Sequence, residues 1–281
     1  MHLDPKREVT HSSVGRLGIA LFLLIVLMAV FAPLLANHDP IEQTIHSLES
    51  PSLNHLLGTN HVGQDIWSQL VHGARTSLLV GLLVALLSTI LSAIVGTSAA
   101  LIGGLYDRIV MRIVDAFIVM PLLIVMILVS AYLGAGLGAT ILLLSLLSWQ
   151  GGARIVRSQS LSLKERVHIS AARGFGANKL YIMRRHLIPD LGTILIVDFI
   201  YSVRRAIFLQ AGLAFIGIGD PNIVSWGTMM REALDWIFLD VWRWWLLPAG
   251  IALSLTIVSI TFIGHALEPA LDPRLKDEAN V

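Results

Sequence analysis

Three ionisable residues, Asp198, Arg204 and Arg205, stand inside one long apolar run, 191–218. A charged side chain at the centre of a bilayer costs about 2.5–3.5 kcal/mol on insertion scales, so such groups face protein or a watery path. Asp198 and Arg205 are seven residues apart. That spacing puts them on one helix face at roughly 10 Å of axial separation, too far for a tight ion pair. Two roles fit the pattern. The arginines line a pathway and meet carboxylates of a substrate while Asp198 balances charge, or they pair with acids of a neighbouring subunit. Pro121 lies inside another apolar run; a proline there frees a carbonyl and bends the helix, tolerable where neighbouring helices or cavity water satisfy it. Asp198, Arg204, Arg205 and Pro121 are therefore the candidate pathway residues.

The second polar group is the stretch 154–190. It carries Arg154, Arg157, Lys164, Arg166, Arg173, Lys179, Arg184 and Arg185 against only Glu165 and Asp190. A basic loop between apolar runs faces the cytoplasm by the positive-inside rule. Its middle is a knot of small residues, Ser170, Ala171, Ala172, Gly174 and Gly176, which let another backbone come close. Ser162 to Glu165 reads S-x-x-E, a capping-box pattern that predicts a helix start. Gly174 or Gly176 predicts its stop. From Asn178 a second short helix follows, with Leu180, Met183 and Leu187 on one face lying on the membrane surface.

Other chemistry is thinly supported. His38, His46, His55, His61 and His72 cluster in 36–76, but their spacings match no ligand motif, so they read as surface or packing residues and no metal site is assigned. The chain has no cysteine, hence no disulfide or thiolate site. It has no G-x-x-x-x-G-K-[ST] phosphate loop, so any energy source other than an ion gradient comes from a partner. No H-E-x-x-H motif or nucleophile elbow supports an intramembrane enzyme. A secondary transporter with Asp198 as its ion site is the other class to weigh; it calls for internal repeats with broken helices, and none is visible.

These residues are positioned by membrane-spanning helices. Of 281 residues 55% are hydrophobic and 14% charged, against about 25% charged in a soluble domain. The apolar runs give six spans, of 15 to 28 residues against the roughly 20 a bilayer needs: 18–35, 77–102, 113–133, 139–153, 191–218 and 246–267. The first run is too long for a cleavable signal's core. Segment 1–17 is a cytoplasmic N-terminus and 36–76 an external loop. Segment 77–267 is a transmembrane core that includes the loop 154–190, and 268–281 is a cytoplasmic tail. The fold class is an all-α polytopic membrane protein with both termini inside.

Four motifs, in order, carry a family resemblance. Ser170-Ala171-Ala172-Arg173-Gly174, with Ile188-Pro189, resembles the E-A-A…G…I-L-P cytoplasmic loop of ABC importer permeases. Leu57-Gly58-Thr59-Asn60-His61-Val62-Gly63-Gln64-Asp65, continuing to Gly73-Ala74-Arg75, is similar to the L-G-T-D-x-x-G-R-D…G-A-R segment of dipeptide, oligopeptide and nickel permeases. Phe215 to Gly219 with Ser225-Trp226-Gly227, and Leu271-Asp272-Pro273-Arg274-Leu275, resemble their F-L-G-L-G…S-W-G and L-D-P-R-L segments. The short first loop resembles the C-type subunit of such systems. Three departures stand out: Ser170 replaces the acid, Asn60 replaces aspartate, and Gln64 replaces arginine.

What the resemblance implies is a channel subunit rather than an enzyme. It would sit in the bacterial inner membrane beside a second, different permease, with two ATPase subunits beneath and a substrate-binding protein outside. ATP and magnesium would be held by the ATPases, with no cofactor in this chain and no nucleic acid among its partners. The helix between the fourth and fifth spans becomes a coupling helix, with Glu165, Ser170, Ala171, Ala172, Arg173, Gly174 and Gly176 as coupling residues. Gly58, Thr59, Gly63 and Asp65 are the external motif residues. The cargo implied is peptide, with nickel or a metal chelate as the alternative.

Overall fold

The computed structural model describes residues 12–133, 136–220 and 222–271. The remaining positions hold most of the two polar termini and all but the first residue of the Leu271-Asp272-Pro273-Arg274-Leu275 motif, so those expectations lie outside the described residues. The described chain is helical, with no strand beyond one isolated bridge between Thr59 and Asp65.

The longest helix, α2 (Ile66–Ile102), is the post on which the others stand. The helix before it is α1 (Ser13–Val30), capped by the Ser12 side chain. After α2 come α3 (Gly104–Val119), α4 (Leu122–Leu133), α5 (Leu137–Leu146) and α6 (Gln150–Leu163). The short α7 (Val167–Gly174) precedes α8 (Gly192–Ile216), α9 (Trp226–Asp235) and α10 (Leu246–Leu271). Both α6 and α8 pack along α2, and α10 closes against α1 and α8.

The residue pattern of α2 explains this role. Its small and polar side chains Ser77, Ser88, Ser92 and Thr97 are buried, while Leu79, Leu82, Leu86, Leu87, Ile90 and Ile94 point outward. A helix in lipid gains nothing by hiding leucine, so close backbone packing and hydrogen bonds between helices take that place. Ser92 Oγ donates to the Trp149 carbonyl of the α5–α6 junction at 2.7 Å. Gly96 lets α6 come into contact: a Cβ there would lie 2.6 Å from the Ala153 carbonyl oxygen and 2.8 Å from Val156 Cβ.

Several boundaries differ from those read in the sequence. The second helix starts at Ile66, not near 77, because Asp65 caps it. The third run is not one bent helix: α3 and the following helix are set at 85° across a break at Met120 and Pro121. Proline at the head of α4 cannot supply the N–H that would continue α3. Ser162 and Glu165 form no capping box; α6 runs through Ser162 to Leu163, and Arg166 precedes α7 with no side-chain cap. The face of Leu180, Met183 and Leu187 is also split. Leu187 is fully buried beside Ile182, whereas Leu180 is 57% exposed, because Met183–Leu187 is a π-helical turn that rotates the following residues.

Among the described residues four helices are long and apolar enough to cross a membrane, five if the bent pair counts as one span. α8 lies outside that set: it has 25 residues but carries Asp198, Arg204 and Arg205. The all-α polytopic membrane class holds.

Replacing Gly96 by leucine should cost about 1–3 kcal/mol through overpacking. Thermal unfolding of the purified chain checks this, with Gly151→Leu as the contrast, since a Cβ on Gly151 meets nothing within 4 Å.

Candidate functional site

Three places on this frame bring candidate residues together: a clasp at the start of α2, a charged cavity along α8, and the protruding α7.

The clasp is the segment 57–65. Gly58 and Gly63 have φ of 73° and 76°, backbone that favours glycine. A Cβ on either would lie 2.2 Å from a carbonyl oxygen, of Glu49 and Thr44 respectively. Thr59 Oγ1 donates to the His46 carbonyl at 2.6 Å and accepts from the Glu49 N–H at 2.9 Å. Asp65 then starts α2 by accepting the Ser68 N–H at 2.7 Å. The four motif residues therefore hold the loop 44–49 against the first turn of α2.

The two departures in this segment meet each other. Asn60 Nδ2 donates to Gln64 Oε1 at 2.7 Å, and Gln69 Nε2 donates to the same oxygen at 2.8 Å. Where the resembled motif has an aspartate and an arginine, this chain has a neutral amide pair in contact. Asn60 is fully buried, and a neutral pair avoids the cost of burying charges.

The next motifs have equally local causes. Gly217, at φ 91°, ends α8 as a left-handed cap. Ser225 caps α9 in a reciprocal box with Thr228. Trp226 is fully buried and donates its indole N–H to the Leu70 carbonyl at 3.0 Å. Gly227 leaves room for α8, since a Cβ there would lie 2.5 Å from the Ala211 carbonyl.

The cavity between these motifs encloses about 390 Å³ and is lined by His61, Gln69, Thr228 and Glu232, among others. His61 stacks between Trp236 and Trp245, each 5.8 Å away, and burial lowers its pKa although Asp235 opposes this. Burial pushes Glu232 up to about 7, against a lowering by Arg231 and a further rise from Asp235. Sequence reading missed Glu232; the S-x-x-T pattern from Ser225 to Thr228, which starts its helix, was the available signal.

The charged cavity lies on the other part of α8. Asp198, Arg204 and Arg205 line one space of about 520 Å³ with Ser148, Gly152 and Tyr201. The Asp198 carboxylate sits over Gly152, where a Cβ would come within 2.5 Å of Oδ2. Arg204 lies over the Tyr201 ring, 5.2 Å from its centroid, and donates to Thr261 Oγ1 at 3.4 Å. Arg205 is exposed. No ion pair joins Asp198 to either arginine among the described residues. Pro121 does not line this space; it stands exposed at the break between α3 and α4.

The basic stretch divides into two sets. Arg154 pairs with Asp115, Arg157 forms two bonds to Asp107 at 2.5 and 2.6 Å, and Lys164 donates to the Ala100 carbonyl at 3.2 Å. These three tie α6 to α2 and α3. Arg166, Arg173, Lys179, Arg184 and Arg185 are exposed. Between them α7 stands out from the body: Val167 is 85% and Phe175 93% exposed. Glu165, Ser170, Ala171, Arg173, Gly174 and Gly176 are also exposed, with Ala172 half-buried. One side chain anchors the helix, Ile169, buried against Val156, Ile182, Leu187 and Leu191. His168 Nε2 lies 3.2 Å from Asp190 Oδ2.

The stop of α7 is a Schellman motif. Gly176 N–H donates to the Arg173 carbonyl at 2.9 Å and Ala177 N–H to the Ala172 carbonyl at 3.0 Å. Gly176 has φ 85°. The glycine requirement is therefore at Gly176; Gly174 is helical.

A polytopic helical chain with a charged cavity and one short helix held clear of its body is built as a membrane permease. Residues 88–277 match the family model of the binding-protein-dependent transport system inner membrane component. Residues 10–51 match the N-terminal TM domain of oligopeptide transport permease C. The chain is 38% identical over 278 residues to the "Putative peptide transport system permease protein" of Brucella abortus, covering 98% of this chain and 93% of the relative. It is 34% identical over 275 residues to the dipeptide transport system permease protein DppC of Bacillus subtilis, covering 97% and 86%. The chain belongs to this family of binding-protein-dependent transport permeases.

Asn60→Asp alone should lower the unfolding temperature by placing a carboxylate against the Gln64 carbonyl oxygen. Adding Gln64→Arg should restore it, with a coupling of about 0.5–3 kcal/mol in a double-mutant cycle.

Glu232 has its folded pKa raised from 4.5 to about 7. A raised carboxyl contributes stability that is complete below pH 4.5 and lost as pH rises through about 7. Glu232→Gln should flatten the unfolding-temperature profile across that window.

Proposed function

We propose that this chain forms half of the translocation pathway of an ATP-driven peptide importer and links that pathway to ATPase subunits through α7. The observation that carries this reading is the exposed, singly anchored α7. Its apolar ends, Val167 and Phe175, and its small face, Ser170 to Ala172, suit insertion into a groove of an ATPase. The Schellman stop at Gly176 gives it a fixed length. Ile169 and the His168–Asp190 contact then join its movement to the head of α8, which carries Asp198, Arg204 and Arg205. Closure of two ATPases on ATP and magnesium would move α7 and α8 as one body.

In this reading six helices cross the bacterial inner membrane, α8 included, with both termini in the cytoplasm. A second, different permease shields the charged face of α8, and a binding protein delivers cargo to the cavity lined by His61 and Glu232. Peptide is favoured over nickel because the relatives name peptides or dipeptides. Arg204 and Arg205 suit a peptide carboxylate, held in a cavity where few other groups compete for it.

Reconstitution with the partner subunits in proteoliposomes tests both halves. Ala172→Leu or Gly176→Val should reduce uptake by roughly tenfold while ATP hydrolysis continues. Ser170→Ala should leave both rates near wild type. A strong loss from Ser170→Ala with Ala172→Leu tolerated would overturn docking by shape. Arg205→Met should weaken uptake of an acidic peptide; unchanged uptake kinetics would end the carboxylate role.

A further inference from the structure

His38 follows the first helix, His55 lies in the outer loop, and Asp65 caps α2, yet their side chains converge. His55 Nδ1 is 2.9 Å and His38 Nδ1 3.9 Å from the same oxygen, Asp65 Oδ1. One ligand atom from each lies within 4.8 Å of the other two. We propose that His38, His55 and Asp65 form a site for one divalent transition-metal ion, with Zn²⁺ the best fit, that fastens the outer loop to the start of α2.

Two imidazoles and a carboxylate are a three-ligand set that suits zinc with a fourth position open. Calcium and magnesium want six or more oxygens, which this site does not offer. Tetrahedral ligands at about 2.0–2.1 Å from the metal sit roughly 3.3 Å from one another. The two separations from Asp65 Oδ1, 2.9 and 3.9 Å, bracket that value, and the three ligand atoms lie within 4.8 Å of one another, so closing the site takes a rotation of the His38 ring, one side of which is exposed.

The main chain beneath both imidazoles is held by bonds of its own. The His38 N–H donates to Ser68 Oγ at 3.2 Å and the His55 N–H to Ser52 Oγ at 3.1 Å. The Asp65 side chain is 2% exposed. Its Oδ2 is committed to the Ser68 N–H, which aims Oδ1 at the two rings. A plain hydrogen bond from His55 to Asp65 explains one imidazole. It does not explain why His38, stacked on His55 at 4.7 Å, turns Nδ1 to the same oxygen. The cavity of about 390 Å³ is lined by His61 and by none of these three, so the ion is a fastening of the loop and not a station for cargo.

Separations of 17 and 10 residues along the chain hide the cluster from any spacing rule; it exists only because the clasp folds 57–65 back on the helix start.

The full chain, purified in detergent without a polyhistidine tag and stripped of metal, is titrated with Zn²⁺ alone. Bound zinc is counted after dialysis and thermal unfolding is followed. One zinc per chain with a raised unfolding temperature is expected. His38→Ala should weaken binding by at least about tenfold, since losing a ligand costs no less than losing an outer-shell partner. His55→Ala should do the same, and His72→Ala, one turn along α2 from Ser68 and outside the three-ligand set, should not. His38 is exposed, so its replacement leaves the fold intact and decides the matter. No saturable zinc binding by the wild-type chain, or equal binding by His38→Ala, overturns the site.

Discussion

The carboxylate of Asp65 is the point on which the loop before α2, and the start of α2 itself, depend. One oxygen starts the 37-residue α2 and the other holds His55. A helix of that length spans about 55 Å, against a hydrocarbon core of about 30 Å. It therefore reaches beyond the membrane, and its first turns are where the extramembrane loop must attach. With its cap set by Asp65, α2 has one register relative to the clasp, and every helix that packs on it inherits that register. Trp226 shows the inheritance: its indole bonds the Leu70 carbonyl, little more than a turn inside the cap.

Within the membrane a different constraint takes over. Apolar side chains have no reason to choose protein over lipid, so contact is decided by small residues and by hydroxyls that find a carbonyl. Gly81, Gly96 and Gly152 each mark a place where an added Cβ would run into another helix, at 2.5 Å from Ile207, 2.6 Å from the Ala153 carbonyl oxygen and 2.5 Å from Asp198. Gly152 is the most informative of them. Its missing side chain is occupied by the Asp198 carboxylate and the Ser92 hydroxyl, so a charged group on α8 is accommodated by a glycine on α6 and a serine on α2. The charge of α8 is built into the packing of three helices.

The sequence was most legible where a residue's backbone need is absolute. Gly176 takes the left-handed conformation expected of a helix stop, as do the motif glycines Gly58, Gly63 and Gly217, and the apolar runs locate the helices. It was least legible where two patterns competed. Ser162 and Glu165 match a capping box, but α6 continues through Ser162 because Val156, Ser160 and Leu163 are already buried on its inner face. Asp65, which does cap, precedes a stretch too polar to read as a span. The periodicity of Leu180, Met183 and Leu187 assumed 3.6 residues per turn, and a π turn between them breaks that assumption. The pairing of Asn60 with Gln64 was invisible as chemistry because each was read as a separate departure.

The junction of α7 with α8 is the step where sequence, packing and function meet. α7 has one buried side chain, and a helix of two turns held by so little would fray in isolation. Its rigidity comes from its ends and its neighbours: the Schellman stop at Gly176, the His168–Asp190 contact, and the cluster of Ile169 with Ile182, Leu187 and Leu191. Most of those partners lie on the chain that leads into α8, while Val156, also against Ile169, is on α6. A force applied to the exposed face of α7 thus has a short, packed route to the helix carrying Asp198, Arg204 and Arg205. The remaining basic anchors, Arg154, Arg157 and Lys164, tie α6 to α2 and α3 instead. One basic stretch thus carries two sets of contacts, one to α2 and α3 and one toward α8.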